Sequence, residues 1–169
     1  MTEPEFRPDR LLAVLQEHGV RYVLIGGFAA VLRGSATPTY DVDIIPDPAP
    51  DNLARLSSAL RDLDARVRVE GTPGGLAFEH DADSLAQIST LNLVTHAGEL
   101  DIALHTAGVT GFDAWERGAT AITVLGVPVR LAALDDVIAS KQAADRDKDR
   151  AVLPMLRELA RRLGYDSGA

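Results

Sequence analysis

Ile25-Gly26-Gly27 and, fourteen residues beyond Gly27, Thr39-Tyr40-Asp41-Val42-Asp43-Ile44 are the two stretches on which the reading of this sequence turns. Arg21 to Ile25 reads as a buried strand broken by the two glycines, and Phe28 to Arg33 as a short helix ending at Gly34. Ser35 to Thr39 is a polar loop around Pro38, and Tyr40 to Ile45 is a second strand halted by Pro46. Strand alternation puts Asp41 and Asp43 on one face and Val42 and Ile44 on the other. Two carboxylates about 7 Å apart along a strand can share divalent cations, whose charge relieves their mutual repulsion. Acidic residues are depleted in strands, so a pair of them inside an apolar strand asks for a cation. Glycines without side chains let a phosphate approach backbone N–H groups at the start of the Phe28 helix, where the helix dipole also favours an anion. Singly, a glycine pair is an ordinary turn and a strand aspartate an ordinary solvated side chain. The combination is more specific.

Working outward, Glu99-Leu100-Asp101-Ile102-Ala103 supplies a third carboxylate, Asp101, facing opposite to Leu100 and Ile102. Glu99 is expected to point away from the site as an exposed acid at a turn. If this strand neighbours Tyr40 to Ile45, three carboxylates converge. Such a triad holds two Mg²⁺ ions that align a nucleoside triphosphate and activate an attacking hydroxyl.

The remaining segments frame these strands. Leu11, Leu12 and Leu15 predict an amphipathic helix between Pro8 and a Gly19 cap; Leu53, Leu56, Leu60 and Leu63 predict another, with Asp51 as its N-cap. Arg66 to Val69 reads as a short edge strand and Gly71 to Gly75 as a turn cluster. Leu91 to Thr95 with Leu100 to Leu104, and Ala121 to Leu125 with Val127 to Leu131, read as hairpins. Leu134 to Arg146 and Lys148 to Leu163 read as helices, with Pro154 a kink or first-turn residue. This order predicts one α/β (α+β) domain over 1–169: a mixed sheet over about 20–131 flanked by helices, followed by a helical segment over about 134–163.

The chain has 169 residues, 46% hydrophobic and 25% charged, long enough to bury a core without disulfides or a structural metal. The absence of cysteine excludes thiol catalysis and zinc ribbons and favours a cytoplasmic setting. Met1 to Arg10 carry no apolar stretch of the kind a signal peptide needs, so secretion is not expected. The longest apolar run, Val23 to Leu32, falls far short of the roughly 20 residues that cross a bilayer. A net charge of −8 argues against a broad basic nucleic-acid face.

Gly26-Gly27, the Asp41-Val42-Asp43 strand and Leu100-Asp101-Ile102 together resemble the nucleotidyltransferase superfamily signature of a G-G or G-S turn, a D-h-D strand and a later third aspartate. Leu134-Asp135-Asp136-Val137-Ile138-Ala139-Ser140-Lys141 and Arg146-Asp147-Lys148-Asp149-Arg150 are similar to the tail of small bacterial members, notably the AbiEii-like toxin-type nucleotidyltransferases. The resemblance runs from about Val20 to Leu159. It implies a nucleotidyltransferase fold, Mg²⁺ dependence with two ions, and transfer of a nucleoside monophosphate from an NTP such as ATP to an acceptor hydroxyl. The acceptor it implies is RNA, such as a tRNA end, or a protein, in a toxin that would have a cognate antitoxin. Aminoglycoside and lincosamide nucleotidyltransferases share the same motifs and supply the alternative acceptor. A non-catalytic nucleotide-binding module is the alternative from another class. Carried over residue by residue, Asp41 and Asp43 would be metal ligands and Asp101 would complete the metal site or act as general base. Gly26, Gly27, Thr39 and Arg146 would contact the nucleotide, and Lys141 would neutralise phosphate charge. Gly27 stands where members often carry serine, and Tyr40 where they often carry a basic residue.

From Lys141 to Arg162 seven basic residues face four acidic ones, a local +3 that leaves −11 for the rest of the chain. Any RNA would be gripped there, although Arg157, Arg161 and Arg162 equally read as a solvated helix surface, and Asp149 as a helix cap. His18, His80, His96 and His105 lack metal-ligand spacing and read as surface or turn residues, and Trp115 as a packing anchor.

Overall fold

The computed structural model describes residues 4–165; Met1 to Glu3, at the head of the segment read for a signal peptide, lie outside them. The element order is α1 (Pro8–Glu17), β1 (Tyr22–Ile25), α2 (Gly26–Leu32), β2 (Asp41–Pro46), α3 (Pro50–Asp62), β3 (Arg66–Val69), β4 (Thr72–Leu76), α4 (Ala82–Ala86), β5 (Thr90–Thr95), β6 (Gly98–Ala103), α5 (Gly111–Gly118), β7 (Thr120–Val124), β8 (Val127–Leu131), α6 (Leu134–Ala144) and α7 (Asp147–Arg162). The eight strands form one mixed sheet in the order β4-β3-β5-β6-β2-β1-β8-β7. β2 and β6 pair in parallel, as do β1 and β8, and the other neighbours are antiparallel.

Period-two alternation drives the core. Val42, Ile44, Leu100 and Ile102 are buried, joined by Leu11, Leu12 and Leu15 of α1 and Leu53, Leu56 and Leu60 of α3. Those leucines repeat at helical spacing, so each helix turns one apolar stripe onto the sheet. At about 25 cal/mol per Å² of apolar surface removed from water, this contact is the main stabilising contribution. Against the opposite strand face lie α2, which touches β1, β2 and α6, and the packed pair α6 and α7.

Several local expectations are corrected. β3 is interior to the sheet and the edge strand is β4, formed from the segment read as a turn cluster. A glycine run makes a poor strand by propensity, yet Gly75 lies so close to the Val67 carbonyl that a Cβ would not fit, and β3 supplies the ladder. Asp51 does not cap α3: Ala49 holds that position, Pro50 starts the helix, and Asp51 pairs with Arg21 instead. α2 begins at Gly26 rather than Phe28. α6 stops at Ala144 because Asp145 turns left-handed (φ +51°). Pro154 lies inside α7, leaving the Arg150 carbonyl without its helical partner. The short helices α4 and α5 carry no long apolar stripe and were not anticipated. No helix among the described residues is long and apolar enough to cross a membrane.

Candidate active site

The parallel register of β2 and β6 sets Asp41 beside Glu99 and Asp43 beside Asp101. One carboxylate oxygen from each of Asp41, Asp43 and Asp101 lies within 4.8 Å of the others. The convergence expected from the sequence is therefore realised, with two strands distant in sequence aligned in space. Glu99 corrects the expectation. Two residues from Asp101 on one strand, it shares the Asp101 face, and the Arg68 guanidinium bridges the pair, donating to Glu99 Oε2 at 2.5 Å and Asp101 Oδ1 at 3.1 Å. The alternation that aligned Asp41 with Asp43 applies equally here.

Burial raises the Asp43 carboxyl to about 7, with Asp41 and Asp101 adding repulsion and Lys141 and Lys148 opposing it. Burial likewise lifts Asp101 to about 6, against the attraction of Arg68 and with the repulsion of Asp41. Like charges held this close in a partly dry site need positive charge. The donor set is all carboxylate oxygen, which fits a hard divalent cation such as Mg²⁺ and not a soft one.

Gly26 is required twice over. Its φ is +69°, and a Cβ there would strike the Asp43 side chain, with Asp43 Cγ only 2.7 Å away. Gly26→Ala is expected to cost about 2–4 kcal/mol from left-handed strain plus the clash and to push Asp43 out of register with Asp101. Thermal melts with and without Mg²⁺ check this; a Gly26→Ala protein that melts where wild type does and still gains stability from Mg²⁺ would overturn it.

Thr39 donates its hydroxyl to Asp41 Oδ1 at 2.7 Å, so in this structure it orients a carboxylate. Tyr40, next to Asp41, is exposed. Gly26, Gly27 and the three aspartates line a cleft of about 640 Å³. One wall brings Lys141 from α6, Arg146 from the α6–α7 junction and Lys148 from α7, and another brings Arg68, Thr90, Asn92 and His105. His105 thus lies on the cleft, while His18 pairs with Asp62 and His80 with the Ser57 hydroxyl. Trp115 is the expected packing anchor, donating Nε1–H to Thr106 at 2.8 Å.

Asp149, fully buried, organises the basic wall. Its Oδ2 accepts the Arg146 backbone N–H at 3.2 Å and Arg146 Nε–H at 2.7 Å, and Lys141 Nζ stands 3.7 Å from its Oδ1. Burial disfavours the charge on Asp149, yet the Arg146 hydrogen bonds and then the Lys141 charge hold its carboxyl below the ordinary range. Lys141 therefore pairs across the α6–α7 junction and not with Asp145 one turn on, which Arg150 takes. Arg161 and Arg162 share the single carboxylate of Glu158, so part of the basic tail is internally balanced.

Arg68 and Glu99 are the site residues that sequence reasoning missed. The available signal was the period-two pattern Arg66-Val67-Arg68-Val69, two basic side chains on one strand face.

No family model and no curated protein matches this sequence. Solved structures do resemble it. A lincosamide antibiotic adenylyltransferase, LnuA, in its lincomycin-bound form has a TM-score of 0.58 at 16% identity, covering 93% of this chain and 99% of that one. The antibiotic-resistance factor ANT(2'')-Ia gives 0.55 at 17% identity over 92% and 81% of the two chains. An antigenic nucleotidyltransferase-like protein from Paracoccidioides brasiliensis gives 0.50 at 17% identity over 89% and 72%. The mixed sheet with its flanking helices is the nucleotidyltransferase fold.

Proposed function

We propose that this chain is a Mg²⁺-dependent nucleotidyltransferase that moves a nucleoside monophosphate from an NTP to an acceptor hydroxyl and releases pyrophosphate. One observation carries the reading: Asp41, Asp43 and Asp101 converge from adjacent parallel strands beside a Gly26-Gly27 turn. Asp41 and Asp43 hold the metal, and Asp101 completes the set. Mg²⁺, as two ions when bound, supplies charge neutralisation on the triphosphate and activation of the attacking oxygen. The backbone N–H groups of Gly26 and Gly27 bind the triphosphate, and Lys141 with Arg146 balances its charge on the other wall. Thr39 holds Asp41 in place. Asp101, where it acts as general base instead of completing the metal set, takes the hydroxyl proton as the acceptor oxygen attacks the α-phosphorus. The α–β phosphoanhydride bond breaks and pyrophosphate leaves. We place this activity in the cytoplasm, within one domain over 1–169.

The acceptor is RNA, such as a tRNA end, or a protein hydroxyl, in a toxin controlled by an antitoxin. A second acceptor class, a small antibiotic, is favoured by the three carboxylates that line the cleft, Asp41, Asp43 and Asp101, which suit a cationic molecule. Incubation with labelled ATP, GTP, CTP or UTP, Mg²⁺ and cell lysate is expected to move label into RNA, protein or a small molecule, and the labelled fraction identifies the class. Mg²⁺-dependent NTP binding with no label transferred in any fraction would overturn catalysis in favour of a nucleotide-sensing module.

A further inference from the structure

Among the described residues, Arg68 makes the only ion pair to the three clustered aspartates. It arrives from β3, two strands from β6, so its side chain spans the width of β5 to reach them. The fork is split: one arm holds Asp101, a member of the cluster, and the other holds Glu99, which lies outside it. Asp101 is 17% exposed and Glu99 44% exposed. The inner arm therefore occupies one of the two oxygens of a cluster carboxylate, while the outer arm rests on a carboxylate outside the cluster.

We propose that Arg68 is a built-in counter-ion that competes with the divalent cation for Asp101, pivoting on Glu99 to release it when the cation enters. This rests on the metal reading of Asp41, Asp43 and Asp101. An Asp101 oxygen donated to by a guanidinium cannot at the same time direct that lone pair at a metal. Two positive charges on one carboxylate in a partly dry cleft also repel. Arg68 and the cation are thus alternatives at this atom. Glu99 gives the displaced guanidinium somewhere to remain, so the exchange needs a side-chain rotation and no unpaired charge. Arg68 is in this sense a positioning residue: it keeps Asp101 aimed and charged-balanced until the site is loaded.

The test is a Mn²⁺ binding isotherm read from the free-ion EPR signal, at fixed pH and salt, on the full chain without nucleotide. Arg68→Met is expected to bind Mn²⁺ about tenfold more tightly than wild type, because the competitor is gone. Arg66→Met removes the same charge from the same strand, where the side chain reaches the Gly75 carbonyl and not the cluster, and is expected to stay within about twofold. Arg68→Lys keeps the charge but loses the fork and is expected to fall nearer to Met than to wild type. Equal affinities for wild type and both Arg68 variants overturn the inference while leaving the metal site standing. Equal tightening in the Arg66 and Arg68 variants overturns it too, reducing it to a general charge effect. No binding by any of the proteins overturns the metal reading and this inference together.

Discussion

Asp43→Asn is expected to abolish Mg²⁺-dependent pyrophosphate release, by on the order of 10³-fold or more, and at the same time to make the metal-free protein more stable at neutral pH. The two effects share one cause. Burial, with Asp41 and Asp101 nearby, raises the Asp43 carboxyl to about 7, whereas in the unfolded chain it titrates at about 3.9. Between those values the native protein holds a proton that the unfolded chain has lost, so stability falls as pH rises through the window and stays lower above it. Asparagine cannot ionise, so the variant escapes that loss. After discounting for solvent in the open cleft, the gain is about 1–3 kcal/mol, several degrees of melting temperature. Melts in EDTA across pH 4 to 8 read it: the two proteins should converge near pH 4 and separate toward pH 8, with wild type the less stable. Mg²⁺ should close the gap by stabilising wild type alone. A variant that is less stable than wild type at pH 8 without metal would sink the argument, as would one that retains activity.

Asp149→Ala is expected to have the opposite sign. The carboxylate is completely buried, caps α7 through the Arg146 backbone N–H, and neutralises Arg146 and Lys141 together. Removing it deletes the cap and leaves Lys141, only 20% exposed, without its counter-ion. The expected cost is about 2–4 kcal/mol, combining a lost cap and a broken, partly buried pair. Because Asp149 is held below the ordinary carboxylate range, its contribution is present at neutral pH and is lost as pH falls through its depressed value. Wild type and variant should therefore approach each other in acid, as the Asp43 pair does, but here wild type is the more stable protein at neutral pH. With Lys141 released, KM for the triphosphate should rise about tenfold while kcat moves less. Asp149→Asn, which keeps an acceptor for the cap, should lie between the two in urea midpoint. A midpoint for Asp149→Ala indistinguishable from wild type would refute the role.

Much of this site is written locally. The break at Gly26-Gly27, the shared face of Asp41 and Asp43, and the hairpins at His96-Ala97 and Leu125-Gly126 depend only on backbone geometry and neighbours a few residues away. The same alternation in β6 puts Glu99 on the strand face of Asp101. Other features were not local. β4 forms from a glycine-rich segment because β3 offers it a partner, and propensity cannot report a partner. Arg68 reaches the cluster only because β3 and β6 are separated by the single strand β5. Lys141 pairs with Asp149 rather than Asp145 only because Asp145 turns left-handed and folds α7 back on α6.

The sequence by itself determined which residues carry charge, which strand face each aspartate takes, and where the chain must turn, since side-chain periodicity and backbone sterics act within a few residues. Strand order, the juxtaposition of Asp43 with Asp101, the Arg68 bridge and the buried Asp149 were decided only by the tertiary structure. They depend on which apolar faces can be buried together across the whole chain, and that is a property of the assembled core rather than of any segment.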